Sequence, residues 1–491
     1  MIPLKKSMTI RRGIWRGLLM GTAALLLSFL TVACENTGIG TDTTNLTNQL
    51  VQVAQAQAGE WPTYLLNNAR SSYNSAKVLT GTSASKLKQH WTYQAKHPIS
   101  SQPVEANGLV YWGSWDGNEH ATDLRGKEVW ATNLGITTHQ QCSPPSVGVT
   151  STATVATVPI NGTKTPVVFV GGGDHTFYAL DASKGTILWK TALSASYDTF
   201  IWSSPAFYNG SIYIGLASFG DCPDVQGQFF QLDASTGAIQ HTFDVVPKDC
   251  AGGGVWGSAA IDEQKGTLYF ATGEKSQCKK AEPYSYAVIE LQASDLKLLG
   301  SWQVEASYQT NDGDFGSTPT LFEATIKQVK HMMVGIASKN GTFYAFDRDA
   351  LNKGPVWRAT VAQWGPCGEC GDGSLSPAAW DGTNLYVAGG STRISDVPCP
   401  GSIRALDPAN GNFLWQDCLN SGPVLGAVTL APGMAVVGDG RELIVVATDT
   451  GKTLFSYKEN GDQSFFYSAA SISTGVLYVG NMNGNLYAFG T

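Results

Sequence analysis

The sequence predicts an all-β protein: one eight-bladed β-propeller of four-stranded antiparallel blades, closed by an N-terminal strand. Three observations predict it. Related β-rich units recur along the chain, and each ends in an aromatic residue, at Trp91, Trp130, Trp189, Phe243, Trp302, Trp357, Trp415 and Tyr457. Glycine is abundant (55 of 491), tryptophan is common (14) and charge is low (14%), which suits many short strands and tight turns. The ends are also complementary. The first aromatic ending, in "LKQHWTYQ", has no inner strands before it, whereas the last unit, "FFYSAASISTGVLYVGNMNGNLYAFGT", has inner strands but no ending.

Within a unit, alternating runs such as "TLYFATG" are half-buried strands, and "DASTG" or "DPANG" supplies a tight turn after them. About four strands fit one unit, too few to bury both faces alone, and radial packing of each sheet on the next solves that.

Ahead of the propeller, residues 1–33 are expected to be a lipoprotein-type signal peptide. Basic residues lead into the apolar run "GLLMGTAALLLSFLTVA", which is short for a spanning helix of roughly 20 residues. "LTVAC" resembles a lipobox, and makes Cys34 the expected lipidation site, although the usual leucine is displaced to Leu30. Residues 34–59 are small and polar without apolar periodicity, a flexible tether. Residues 60–491 form the propeller. This organisation places the protein outside the cytoplasm, held at the membrane by lipid.

The formal charge is −7, and removing residues 1–33, which carry five basic and no acidic residues, leaves about −12. Such a chain is not expected to bind nucleic acid, which needs clustered Lys and Arg. Apart from Cys34 there are eight cysteines, an even number that favours disulfides in an exported chain, with the pairing left open. "CGEC" at 367–370 has no second CxxC to complete a zinc site and is expected to be a structural disulfide.

Two familiar patterns fail on context. "GGGVWG" fits GxGxxG but opens no helix and sits in no βαβ unit. "DTGKT" lacks the earlier glycine of a phosphate loop, since that position is Val446.

The units "YALDASKGTILW" and "IRALDPANGNFLW", with the opening "WPTYLLNNARSSYN", resemble the pyrroloquinoline quinone (PQQ) propeller repeat. The likeness covers residues 61–491 and is greatest to the polyvinyl-alcohol-dehydrogenase-like quinoprotein alcohol dehydrogenases. That resemblance implies PQQ and Ca²⁺ as cofactors. It implies Trp256 as the floor under the quinone, with glycine neighbours leaving room, and Lys339 as the cation beside the quinone oxygens. It implies Glu274 as a Ca²⁺ ligand with Asp221 or Asp224 as another, and Asp312, with Asp314 beside it, as catalytic base. This chain departs from the family pattern in having no vicinal cysteine pair, Cys222 standing where one would be, and no CxxCH. A separate electron acceptor is therefore implied. The same repeat also builds a non-catalytic lipoprotein propeller, so a protein- or polymer-binding scaffold is the alternative.

Overall fold

The computed structural model describes residues 59–276, 278–309, 312–459 and 464–491. The expected signal peptide, Cys34 and the tether to residue 58 lie outside them. Eight four-stranded antiparallel blades follow one another around an axis. Blades one to seven span 104–133, 154–192, 206–244, 260–303, 320–360, 379–419 and 429–458. Blade eight combines 471–490 with Lys88–Gln94, which pairs antiparallel with Asn485–Gly490 and places Trp91 opposite Ala488. The ring is thus closed by the N-terminal strand, as the complementary ends predict. One four-residue α-helix, Gly81–Ala84, and three short 3₁₀ turns are the helical content among the described residues.

Strand burial follows position in the blade. Thr267–Ala271 is buried at every residue because both of its faces meet neighbouring blades. The outermost Ile239–Asp244 is largely exposed. The aromatic endings have a mechanical role. Trp130 packs its ring where a Cβ on Gly185 would come within 2.6 Å, and its indole N–H donates to Ala182 O at 3.0 Å. Trp189 does the same on Gly237 and Ala234 O, and Trp415 on Gly451 and Thr448 O. Each of these outer tryptophans therefore docks on the turn of the next blade. Those turns need their aspartate as well: Asp233 Oδ1 accepts the N–H groups of Ser235 and Thr236.

Before blade one, a segment crosses the bottom of the central channel and bonds to the innermost strand of every blade. Trp61 exchanges backbone bonds with Glu105, and Pro62 O accepts from Val155 N–H. Asn68 Nδ2 donates to Phe207 O, while Asn68 O and Ala69 O accept from Ile261 and Leu321. Ser71 O and Ser72 O accept from Trp380 and Leu430, and Asn74 Nδ2 donates to Ile472 O. Just ahead of these strands lies a belt of hydroxyls joining adjacent blades, including Ser204 N–H to Ser258 Oγ and Ser258 N–H to Thr318 Oγ1. The residues ahead of that belt form the other end of the channel.

Candidate functional site

At that end, the segments entering blades two to six and the loops between the second and third strands of blades three to five enclose a cavity of about 450 Å³. Trp256, Lys339, Asp312, Asp314, Glu274, Asp221 and Asp224 all line it. The sequence separates them by more than a hundred residues; the propeller brings them together because equivalent loops of successive blades face one axis.

Lys339 follows the second strand of blade five and is 9% exposed, so it is no solvated hairpin lysine. Its Nζ lies 2.5 Å from Asp312 Oδ1, 2.8 Å from Asp314 Oδ1 and 4.7 Å from the centroid of the Trp256 ring. Burial alone would lower the pKa of this ammonium, but Asp314 and Asp312 outweigh it and hold the pKa above its usual value. Asp314 is buried, and its Oδ2 accepts the indole N–H of Trp256 at 3.3 Å. Asp312 is more open, adopts a left-handed backbone (φ 56°), and its Oδ2 accepts Gly368 N–H at 3.0 Å. Indole, ammonium and two carboxylates thus form one connected unit.

Glu274 stands at its edge. Its Oε2 accepts the Tyr286 hydroxyl at 3.0 Å and the Asp312 backbone N–H at 3.2 Å. Burial, reinforced by Glu274, pushes the Tyr286 phenol up, so it remains a donor. Asp221 and Asp224 sit at the mouth. Although Asp221 is exposed to solvent there, the surrounding walls and then the Asp224 charge push its carboxyl up to about 6. Three of these carboxylates do not converge on a point. Among the described residues the group of three candidate ligand atoms within 4.8 Å of one another is His139, Cys142 and Cys222, and the two cysteines are bonded.

The glycines before Trp256 also serve a purpose that the sequence did not show. Gly252 and Gly254 line the cavity, but the run is glycine because it passes between two loops. Gly227 N–H donates to Gly252 O, Gly253 N–H to Glu274 O and Gly273 N–H to Gly254 O. A Cβ on Gly253 would press on Val245 at 2.5 Å. The glycine that accommodates the indole is Gly316, where a Cβ would sit 2.0 Å from the Trp256 ring.

Disulfides frame the site. Cys142–Cys222 joins the loop before blade two to the blade-three loop carrying Asp221 and Asp224, and both cysteines line the cavity. Cys250–Cys278 joins the flanks of the glycine run and of Glu274, and Cys367–Cys370 closes the turn that contacts Asp312. Cys399–Cys418 lies apart, in blade six. Sequence reasoning did not find the Cys142–Cys222 pairing, Trp202 and Leu375 on the cavity wall, or Gly316 against the Trp256 ring, because each is defined only by what it touches. A larger recess of about 670 Å³ between blades five and six holds the solvent-exposed pair Lys330–Glu323 and no buried charged group, so the axial cavity is the better candidate.

The eight-bladed propeller of four-stranded blades is the fold of quinohemoprotein alcohol dehydrogenases, and here it carries a charged pocket lined by Trp256. Residues 61–360 match the model of the glucose/ethanol/alcohol dehydrogenase β-propeller domain, and the chain belongs to this PQQ-propeller family. Residues 339–490 also match the model of outer membrane protein assembly factor BamB. A polyvinylalcohol dehydrogenase of Pseudomonas sp. is 22% identical over 80% of this chain, which spans 66% of that protein. The BamB of Yersinia pestis is 23% identical over 74% of this chain and 77% of its own length. The quinohemoprotein alcohol dehydrogenase of Comamonas testosteroni has the same fold, with a TM-score of 0.70 at 18% identity, covering 89% of this chain and 82% of its own. Among the described residues no helix is long and apolar enough to cross a membrane.

Proposed function

We propose that the chain is a PQQ- and Ca²⁺-dependent dehydrogenase that oxidises alcohols. The observation that carries this reading is the buried Lys339 ammonium held by Asp312 and Asp314 over the face of Trp256. A non-catalytic scaffold has no need of such a unit facing its axis.

The residues fit the cofactors chemically. Among the described residues five carboxylates and a single ammonium line the cavity, an excess of negative charge that favours a divalent cation and offers the hard oxygen donors Ca²⁺ takes. A polycarboxylate quinone would enter so acidic a cavity only with such a cation, which makes its binding Ca²⁺-dependent. Trp256 presents a flat indole as a stacking surface. Glu274, with Asp221 or Asp224, would hold the cation. When bound, PQQ would supply a carbonyl that accepts hydride from the alcohol carbon.

The remaining work belongs to side chains. Asp312, the more open of the two acids bonded to Lys339, is placed to take the alcohol's proton. Asp314, pinned between Lys339 and the Trp256 N–H, orients the ammonium. Lys339 supplies positive charge where negative charge accumulates on reduction. Trp202 and Leu375 give the cavity an apolar wall for the carbon skeleton. With no CxxCH in the chain, electrons would leave to a separate acceptor. The proposal also places the protein outside the cytoplasm, anchored by lipid on Cys34.

The test is titration of the purified chain with PQQ, with and without Ca²⁺, following tryptophan quenching beside a Trp256→Ala control. Saturable, Ca²⁺-dependent quenching lost in the variant is expected, followed by alcohol-dependent reduction of an artificial electron acceptor. Absence of binding would sink the cofactor reading. In the same bacterial preparations the parent is expected in the membrane fraction and Cys34→Ala in the soluble fraction; equal partition would remove the anchor.

A further inference from the structure

The CGEC run closes on itself as the Cys367–Cys370 bridge, with a sequence separation of 3, while the other bridges have separations of 80, 28 and 19. The entropy a bridge removes from the unfolded chain grows with the loop it closes, so this one stabilises the fold least. What it does is shape a turn. Gly368, inside the ring, donates its N–H to Asp312 Oδ2 at 3.0 Å. A Cβ on Gly368 would lie 3.1 Å from Lys339 Cδ, so the lysine stem rests on the same turn.

The bridge is also accessible. Cys370 is exposed and Cys367 half-buried, whereas each of the other three bridges has one buried partner, Cys142, Cys250 or Cys399. Beyond the ring the chain is anchored independently. Gly373 N–H donates to Gln363 O, Gly390 N–H to Gly373 O and Ser391 N–H to Gly371 O. Opening the ring would leave the turn at 367–370 held by its own hydrogen bonds alone, Cys370 N–H and Asp372 N–H to Cys367 O, Gly371 N–H to Gly368 O and Cys367 N–H to Asp372 Oδ2, and leave blade six in place.

We propose that Cys367–Cys370 is an exchangeable disulfide whose redox state sets whether the Gly368 amide holds Asp312. The reductant is a dithiol, small or carried by a protein. One of its thiolates attacks the sulfur of Cys370, the more exposed residue of the two, forming a mixed disulfide and releasing the Cys367 sulfur, which takes up a proton. The second thiol then displaces Cys370, so that the reductant leaves as a disulfide and the chain gains two electrons and two protons as two thiols. The reduced turn loses its ring, and Asp312 loses a fixed donor while keeping Lys339. Exchange at the bridge stands on these contacts alone; its effect on catalysis rests on the dehydrogenase reading above.

The experiment exposes the folded full-length chain to graded dithiothreitol, traps free thiols with N-ethylmaleimide and quantifies each bridge by peptide mass. Cys367–Cys370 is expected to open at a dithiothreitol concentration about ten-fold below that needed for the other three, with unchanged circular dichroism. Hydrogen exchange at the Gly368 amide should then accelerate about ten-fold, in the reduced protein and in Cys367→Ser/Cys370→Ser alike, and slow again in the parent on reoxidation. A bridge that opens no earlier than the others, or a Gly368 amide indifferent to reduction, overturns the proposal. Neither readout involves a quinone, so failure of the PQQ titration leaves both outcomes meaningful.

Discussion

Removing the Lys339 ammonium would leave Asp312 and Asp314 facing each other with no other cation among the described lining residues. Breaking a buried ion pair by deleting one partner strands the remaining charge, and here two would be stranded. Lys339→Met is therefore expected to lower stability by about 3 kcal/mol or more near neutral pH. Urea unfolding of the parent, Lys339→Met and Lys339→Arg near neutral pH checks this; an equal loss in both variants would mean packing, not charge, is Lys339's contribution. At this scale Lys339 in "SKNG" and the acids of "NDGDFG" were singled out by the family resemblance, since each local pattern by itself reads as a turn. The sequence was silent on Gly316, which looks like any turn glycine until the Trp256 ring lies against it.

At the scale of elements, the aromatic ending and the Asp–Gly turn were legible because they recur, and the structure gives them a shared purpose as docking tryptophan and receiving turn. The disulfide partners were not, since pairing depends on which loops the ring brings together. Links between blades also carry buried acids that no periodicity marks. Asp439, at the end of the Met434–Asp439 strand, is 1% exposed and accepts the N–H groups of Ser421 and Gly422 from the segment that enters blade seven. Burial pushes its carboxyl up to about 6, against the lowering effect of those two bonds. A carboxyl whose folded pKa is raised stabilises the fold below its unfolded value and loses that contribution as pH rises through the folded one. Between pH 4 and pH 7 the parent should thus lose up to about 3 kcal/mol relative to Asp439→Asn, which cannot ionise. Chemical denaturation of both proteins across that range measures it, and a constant difference would show that Asp439 keeps its proton throughout.

For the whole molecule, closure of the ring was legible from the mismatched ends of the chain, but the tie across its inner strands was not. "WPTYLLNNARSSYN" is polar, turn-rich and without period, because it answers to eight strands at once rather than to one neighbouring face. Its centre is Arg70, fully buried, whose Nε donates to Ala259 O at 2.7 Å and whose Nη1 donates to Tyr64 O at 2.6 Å. Burial lowers the guanidinium to about 10, partly offset by Tyr64, and it remains a cation at neutral pH. The segment thereby ties the inner strands together at the end of the channel away from the candidate cavity. Arg70→Met keeps much of the volume but leaves buried carbonyls of the segment and of the run entering blade four without their charged donor. It is expected to cost about 3 kcal/mol or more, since hydrogen bonds to a charged group contribute about 1.5–3 kcal/mol each. The first amides to lose exchange protection should be Ile261 and Leu321, which bond to Asn68 O and Ala69 O. If the urea midpoint and those two amides were unchanged, the segment would be a passenger on a ring that holds itself together. If they move together, the fold's integrity depends on the same stretch of chain that ties its eight inner strands.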